Sequence, residues 1–297
     1  MFQFHFPRRW TASLLSVLLL TLAIITPAVA HPALWIAKNE HATVYLFGTV
    51  HLLPSETDWS SPQLDEALKH SQRLSIELVD DDVATMQALV LKFGLDMAHP
   101  LSSKLSAADQ EKLQQAAATA QLPGGVSTLQ PMRPWLAALT LAMAPLVQAG
   151  LNPDLGVDKL LKDRMQKAGK PVDGLETAEQ QIGLLAHMSE PMQLDFLRQT
   201  FSDVAEGPAK LRELIDAWKN GDVAAIAGLA DNELRQQSPA LYQRLIVARN
   251  KAWAKIIAER MQQPGVSFVA VGAGHLAGPD SLQTQLEAQG ITTTLLR

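Results

Sequence analysis

Apolar and polar positions along this chain alternate in two rhythms, strand-like near the ends and helical through the middle. Residues 34–38 and 42–47 are two apolar, β-branched runs around Asn39-Glu40-His41, a pattern that predicts a hairpin. Ser60-Ser61-Pro62 supplies a helix start, and Leu64, Ala67 and Leu68 continue it at helical spacing. Residues 73–79 then read as a buried strand. With the second hairpin strand and the helix they form a β-α-β unit, whose two strands are expected to be parallel neighbours. From residue 82 to about 168 the period is helical, broken at Pro123-Gly124-Gly125 and closed at Gly169. A short strand is expected over residues 170–176, and helices return over residues 178–262. These are interrupted near Gly207-Pro208, Gly221-Asp222 and Ser238-Pro239. Residues 266–271 are the most hydrophobic strand after the first thirty residues, followed by a helix over 279–289 and a closing strand over 291–296. The fold class is therefore α/β (α+β), with a mixed sheet drawn from both chain ends (34–80, 170–176 and 265–297). A large helical insertion separates them.

The first thirty residues stand outside that reading. Arg8 and Arg9 precede a hydrophobic run over residues 14–25, and Pro27 precedes Ala28-Val29-Ala30, a small-x-small cleavage pattern. Residues 1–30 read as a secretory signal peptide, with a membrane anchor as the alternative if it stays uncleaved. The expected location is the periplasm or the exterior. No other apolar run approaches the length of a bilayer span.

Charge narrows the partners. Removing the leader takes away two arginines and no acid, so 23 Lys+Arg face 30 Asp+Glu, a net of −7. That balance argues against nucleic acid. Aromatic residues are only 5%, so core packing rests on Leu and Ala, and with no cysteine there is neither a disulfide nor a thiolate ligand.

Two segments carry the candidate chemistry. Gly48-Thr49-Val50-His51 and Gly272-Ala273-Gly274-His275 each follow an apolar strand, so each delivers an imidazole to a strand's carboxyl end. In open α/β sheets ligands bind at that rim. Glu77 interrupts the apolar strand Leu74-Ser75-Ile76-Glu77-Leu78-Val79 and is costly to bury without a metal, a cation or a proton. Two imidazoles and a carboxylate with an open position suit zinc, manganese or cobalt. The same three also suit a metal-free acid and base acting on water, and spacing alone leaves both open. Glu176 is a further placed carboxylate, or else a helix N-terminal acid favoured by the dipole. Arg133, between Pro131 and Pro134, is expected to steer a carbonyl or carboxylate, or to cap a helix. Asp158 and Arg249-Asn250 lie in helical stretches that either line the same cleft or pair at the surface.

At these residues the sequence resembles the TraB/GumN family, whose relatives include the Tiki metalloproteases. The resemblance rests on Tyr45-Leu46-Phe47-Gly48-Thr49-Val50-His51, Ile76-Glu77-Leu78, Gly174-Leu175-Glu176-Thr177 with Gln180, and Val271-Gly272-Ala273-Gly274-His275-Leu276 with Gly278. Gly156-Val157-Asp158 and Arg249-Asn250 with Trp253 look like further family positions. The resemblance implies one domain over residues 31–297 with a pseudo-symmetric core, related to erythromycin-esterase-like and haem-binding ChaN-like proteins. Carried over from Tiki-type members, the metal-dependent peptidase centre falls on His51, Glu77 and His275. The expectation is an exported metal-dependent hydrolase, a peptidase using manganese, cobalt or zinc. Glu176 and Arg133 would assist catalysis, and Arg133, Asn250 and Asp158 would contact a peptide or small-molecule substrate. The alternatives are a metal-free esterase-like hydrolase and a protein that binds peptide or haem without turnover.

Overall fold

The computed structural model describes residues 31–55 and 57–296, so the expected signal segment lies outside the described residues. Four neighbouring strands run parallel, from one edge inward, in a six-stranded mixed sheet. Its order is Val172–Glu176, Arg73–Leu78, Gly265–Gly272, Ala42–Thr49, Leu34–Lys38 and Thr293–Leu296. The hairpin forms as its sequence requires: the Asn39 side chain accepts from the main-chain N–H groups of His41 and Ala42, closing the turn. Helices cover both faces, and the architecture is α/β as expected.

One expected adjacency is corrected. The strands Ala42–Thr49 and Arg73–Leu78 are parallel but not neighbours, because Gly265–Gly272 lies between them and pairs with both. The helix Pro62–His70 still makes the connection, spanning one extra strand. The inserted strand is apolar on both sides, with Phe268, Val269, Ala270 and Val271 fully buried. That is what a central parallel strand covered by helices on both faces demands. The two Gly-x-x-His strands thereby become direct neighbours, with Thr49 opposite Gly272.

Aromatic packing fixes the Gly48 end of this pair. Trp218 donates from Nε1 to the Gly48 carbonyl at 2.7 Å, and its ring packs edge-on against Phe47. A Cβ at Gly48 would meet the Ala273 backbone at 3.0 Å, so glycine permits the two loops to close on each other. The loop after Thr49 is pinned from the helical insertion: Leu53 and Pro54 pair with Asn152 and Leu151, and Val157 N–H bonds the Val50 carbonyl. No described helix is long and apolar enough to cross a membrane.

Candidate active site

Gly272 marks the point on which the cluster converges. A Cβ placed there would lie 3.2 Å from Glu77 Oε1, 3.4 Å from His51 Nε2 and 3.6 Å from His275 Cδ2. The three side chains singled out from the sequence therefore share one small volume at the carboxyl rim of the parallel strands.

Each histidine is held by its other nitrogen. His51 lies 3.1 Å through Nδ1 from Asp158 Oδ1. A carboxylate only accepts, so Nδ1 carries the proton and Nε2 is left facing the cluster. Asp158 reaches this place because Gly156 abuts the His51 main chain: a Cβ there would meet the His51 carbonyl at 2.7 Å. His275 lies 2.8 Å through Nδ1 from Asn250 Oδ1, and its Nε2 accepts from Arg249 Nη1 at 2.9 Å. Arginine only donates, so His275 is the neutral Nδ1–H tautomer. Asn250 is oriented in turn by donating to the His275 and Asp280 carbonyls.

Arg249 is the hub. Its guanidinium donates to Glu77 Oε2 at 2.5 Å, to both oxygens of Glu176 and to His275, and it stacks over Trp253 at 4.6 Å. With the Leu245 carbonyl also accepting from Nη1, all three guanidinium nitrogens are engaged. The side chains of Arg249, Glu77 and Glu176 are only 10%, 8% and 11% exposed. The buried guanidinium supplies the cation that a buried Glu77 required, though its one charge is shared by two carboxylates. The Gly272 N–H, 2.6 Å from Glu77 Oε1, adds a further donor.

The protonation states follow. Burial works against the Glu77 charge, but the neighbouring His275, Arg249 and His51 together with the Gly272 N–H hold its carboxyl down at about 2. Burial pushes His275 down to about 3, outweighing the pull of Glu77. His51 behaves oppositely. Close packing disfavours its charge, yet the Asp158 hydrogen bond and the Glu77 carboxylate raise it to about 9. Half of the His51 side chain, 51%, is still open to solvent, so this imidazole is the cluster's contact with the outside.

The remaining expected residues sort plainly. Glu176 and Asn250 belong to the cluster but touch its residues rather than the open side: Glu176 grips Arg249, and Asn250 is fully buried beneath His275. Asp158 orients His51. Arg133 caps the Leu95 carbonyl near the start of helix Pro134–Gln148, and among the described residues no hydrogen bond or ion pair joins it to the cluster. Thr177 and Gln180 form a reciprocal capping box that starts the helix directly after Glu176. Arg249 is the central residue that sequence reasoning undervalued. Its signal was the Arg249-Asn250-x-x-Trp253 spacing, one turn of an otherwise Ala- and Lys-rich helix.

For a divalent metal, the donor chemistry depends on Arg249. His275 Nε2 has one lone pair and spends it on the guanidinium, while Glu77 receives Gly272 N–H and Arg249. His51 Nε2 has no hydrogen-bond partner among the described residues, and it offers a lone pair once the imidazolium has lost its proton. In the arrangement seen Arg249 supplies the positive charge, and among the described residues no group of three His, Asp or Glu side chains is placed to hold a metal ion; holding one here would require Arg249 to release His275 and Glu77.

An α/β sheet with a His-Glu-His cluster at its rim, built from two Gly-x-x-His strand ends, defines the class. The chain belongs to the TraB/PrgY/gumN family, matching it over residues 33–295. It is 26% identical to the uncharacterized protein YbaP of Escherichia coli (strain K12), an alignment covering 86% of this chain and 92% of that protein. YbaP of Shigella flexneri is 27% identical, covering 84% and 88%. An uncharacterized protein of Treponema pallidum (strain Nichols) is 22% identical, covering 84% and 78%. No solved structure matches the chain.

Proposed function

We propose that this protein is an exported hydrolase of carbonyl substrates, peptides or esters, in which His51 moves the proton. One observation carries the reading: His51 Nε2 has no hydrogen-bond partner among the described residues, faces the Gly272 convergence point and has its Nδ1 held by a carboxylate. A carboxylate that fixes the tautomer and stabilises the imidazolium is the arrangement of a general base. Neutral His51 takes a proton from water as the water oxygen bonds the carbonyl carbon. The same proton then passes to the leaving group as the carbon–heteroatom bond breaks. Arg249 acts as a fixed positive charge that favours the negative oxygen of the intermediate. The leader-like segment over residues 1–30 supports export, which fractionation of cells expressing the full chain tests.

A second reading keeps the metal. Both imidazoles present Nε2 inward and anchor Nδ1 on Asp158 or Asn250, the outer support that metal-bound histidines use. His51, Glu77 and His275 would hold the ion, whose chemistry is to acidify water and polarise a carbonyl.

Purified protein assayed on nitrophenyl esters and a peptide library, with and without chelator, separates the two. Turnover that survives chelation and vanishes in His51→Ala supports the metal-free base. Loss with chelator and recovery with manganese or cobalt transfers the assignment to the metal. Turnover persisting in His51→Ala overturns both.

A further inference from the structure

A cavity of about 630 Å³ opens on the far side of the Arg249–Glu176 pair from the histidines. It lies between helix Ala178–Ala186 and helix Ala248–Arg260, and its size is that of a small-molecule site. The body is apolar, formed by Leu175, Leu184, Ala252, Trp253 and Ile256. Arg249, Glu176 and Trp253 belong to both its wall and the catalytic cluster, so an occupant here is continuous with the chemistry.

Its charge is uneven. Glu176 is engaged by Arg249, and Glu179 is paired with Lys92 at 2.8 Å. Arg244, also in the lining, has only neutral partners: Nε donates to the Leu184 carbonyl and Nη2 to the Gly183 carbonyl at 2.9 Å. Among the described residues no carboxylate pairs with it and Nη1 is uncommitted. The π-helical turn Gln243–Val247 presents this guanidinium just before the helix that carries Arg249. Such single wide turns recur at functional sites.

The geometry points to a subsite for an apolar group bearing a carboxylate, such as the carboxyl-terminal residue of a short peptide. Its side chain fills the apolar body and its carboxylate meets Arg244, a guanidinium being suited to bidentate carboxylate recognition. As a substrate subsite this rests on the hydrolase reading; as a binding site it stands apart from turnover.

Calorimetric titration of the full-length protein with N-acetyl-leucine, N-acetyl-leucine amide and acetate tests it. The expected result is saturable binding of N-acetyl-leucine, at least tenfold tighter than the amide or acetate. Affinity is expected to fall at least tenfold in Arg244→Gln and in Ala252→Trp, which fills the cavity, and to return in part with Arg244→Lys. Binding retained in His51→Ala separates the subsite from the hydrolytic reading, since that variant removes turnover only. Absence of binding, equal binding of the amide, or indifference to both Arg244→Gln and Ala252→Trp in variants that melt like the parent overturns the assignment.

Discussion

Arg249 Nη1 stands 2.9 Å from His275 Nε2, so a permanent cation occupies the only lone pair of a neutral imidazole. The same guanidinium is ion-paired with both Glu77 and Glu176. Stability and chemistry at this rim therefore share one residue.

Arg249→Met is expected to destabilise the protein by about 3–5 kcal/mol, because it strands two buried carboxylates without a partner. Arg249→Lys recovers the charge but not the planar fork and is expected to fall between. Chemical denaturation of the three proteins at neutral pH measures this. A stability of Arg249→Met equal to that of the parent would contradict the hub role.

The Asp158–His51 pair predicts a pH profile. If His51 must be neutral to act, kcat/KM rises with pH through a midpoint near the 9 set by Asp158 and Glu77. Asp158→Asn removes the hydrogen-bonded carboxylate, so the midpoint moves down toward the ordinary histidine value while the maximal rate drops by at least about 10²-fold. A midpoint unmoved by Asp158→Asn would sever the two residues.

The two histidines place opposite demands on stability. His275 is depressed to about 3 in the fold, so its contribution is complete above the unfolded value of 6.5 and is lost as pH falls toward 3. His51 is raised to about 9, so its contribution is complete below 6.5 and is lost as pH rises toward 9. Melting temperature is expected to peak near pH 6.5, with the alkaline decline weakened in His51→Ala. A profile that climbs steadily to pH 9 in the parent would oppose these assignments.

Gly272→Ala probes the convergence point. The backbone there, φ −48°, accepts alanine, but the added methyl would sit 3.2 Å from Glu77 Oε1 and 3.4 Å from His51 Nε2. The expected variant folds, yet loses activity by on the order of 10²-fold, since sub-ångström misplacement of reacting groups is costly. Parallel melting curves and rates decide it, and full activity would place the chemistry elsewhere.

How much of this was legible in the sequence follows from the reach of local signals. His51 and His275 were readable because a strand ending in Gly-x-x-His fixes where the imidazole emerges. Glu77 was readable because an acid inside an apolar strand needs a partner. The strand order was not: nothing between Ala42 and Leu78 records that the distant segment Gly265–Gly272 wedges between these two strands. Arg249 was underweighted for a related reason. An arginine on a helix has the same local pattern whether it faces water or two buried carboxylates. Arg133 was left between two roles because its flanking prolines mark a helix start but not what its side chain meets, which is the Leu95 carbonyl at the end of the helix Val83–Gly94.

The wedge of Gly265–Gly272 between two amino-terminal strands has a consequence for biogenesis. During synthesis the earlier strands have no central partner until residues 265–272 have emerged, so the sheet cannot close progressively. The imidazole pair and its glutamate come together in the same closing event. A chain cut before Gly265 would thus lose the sheet's central strand and the second imidazole of the cluster together.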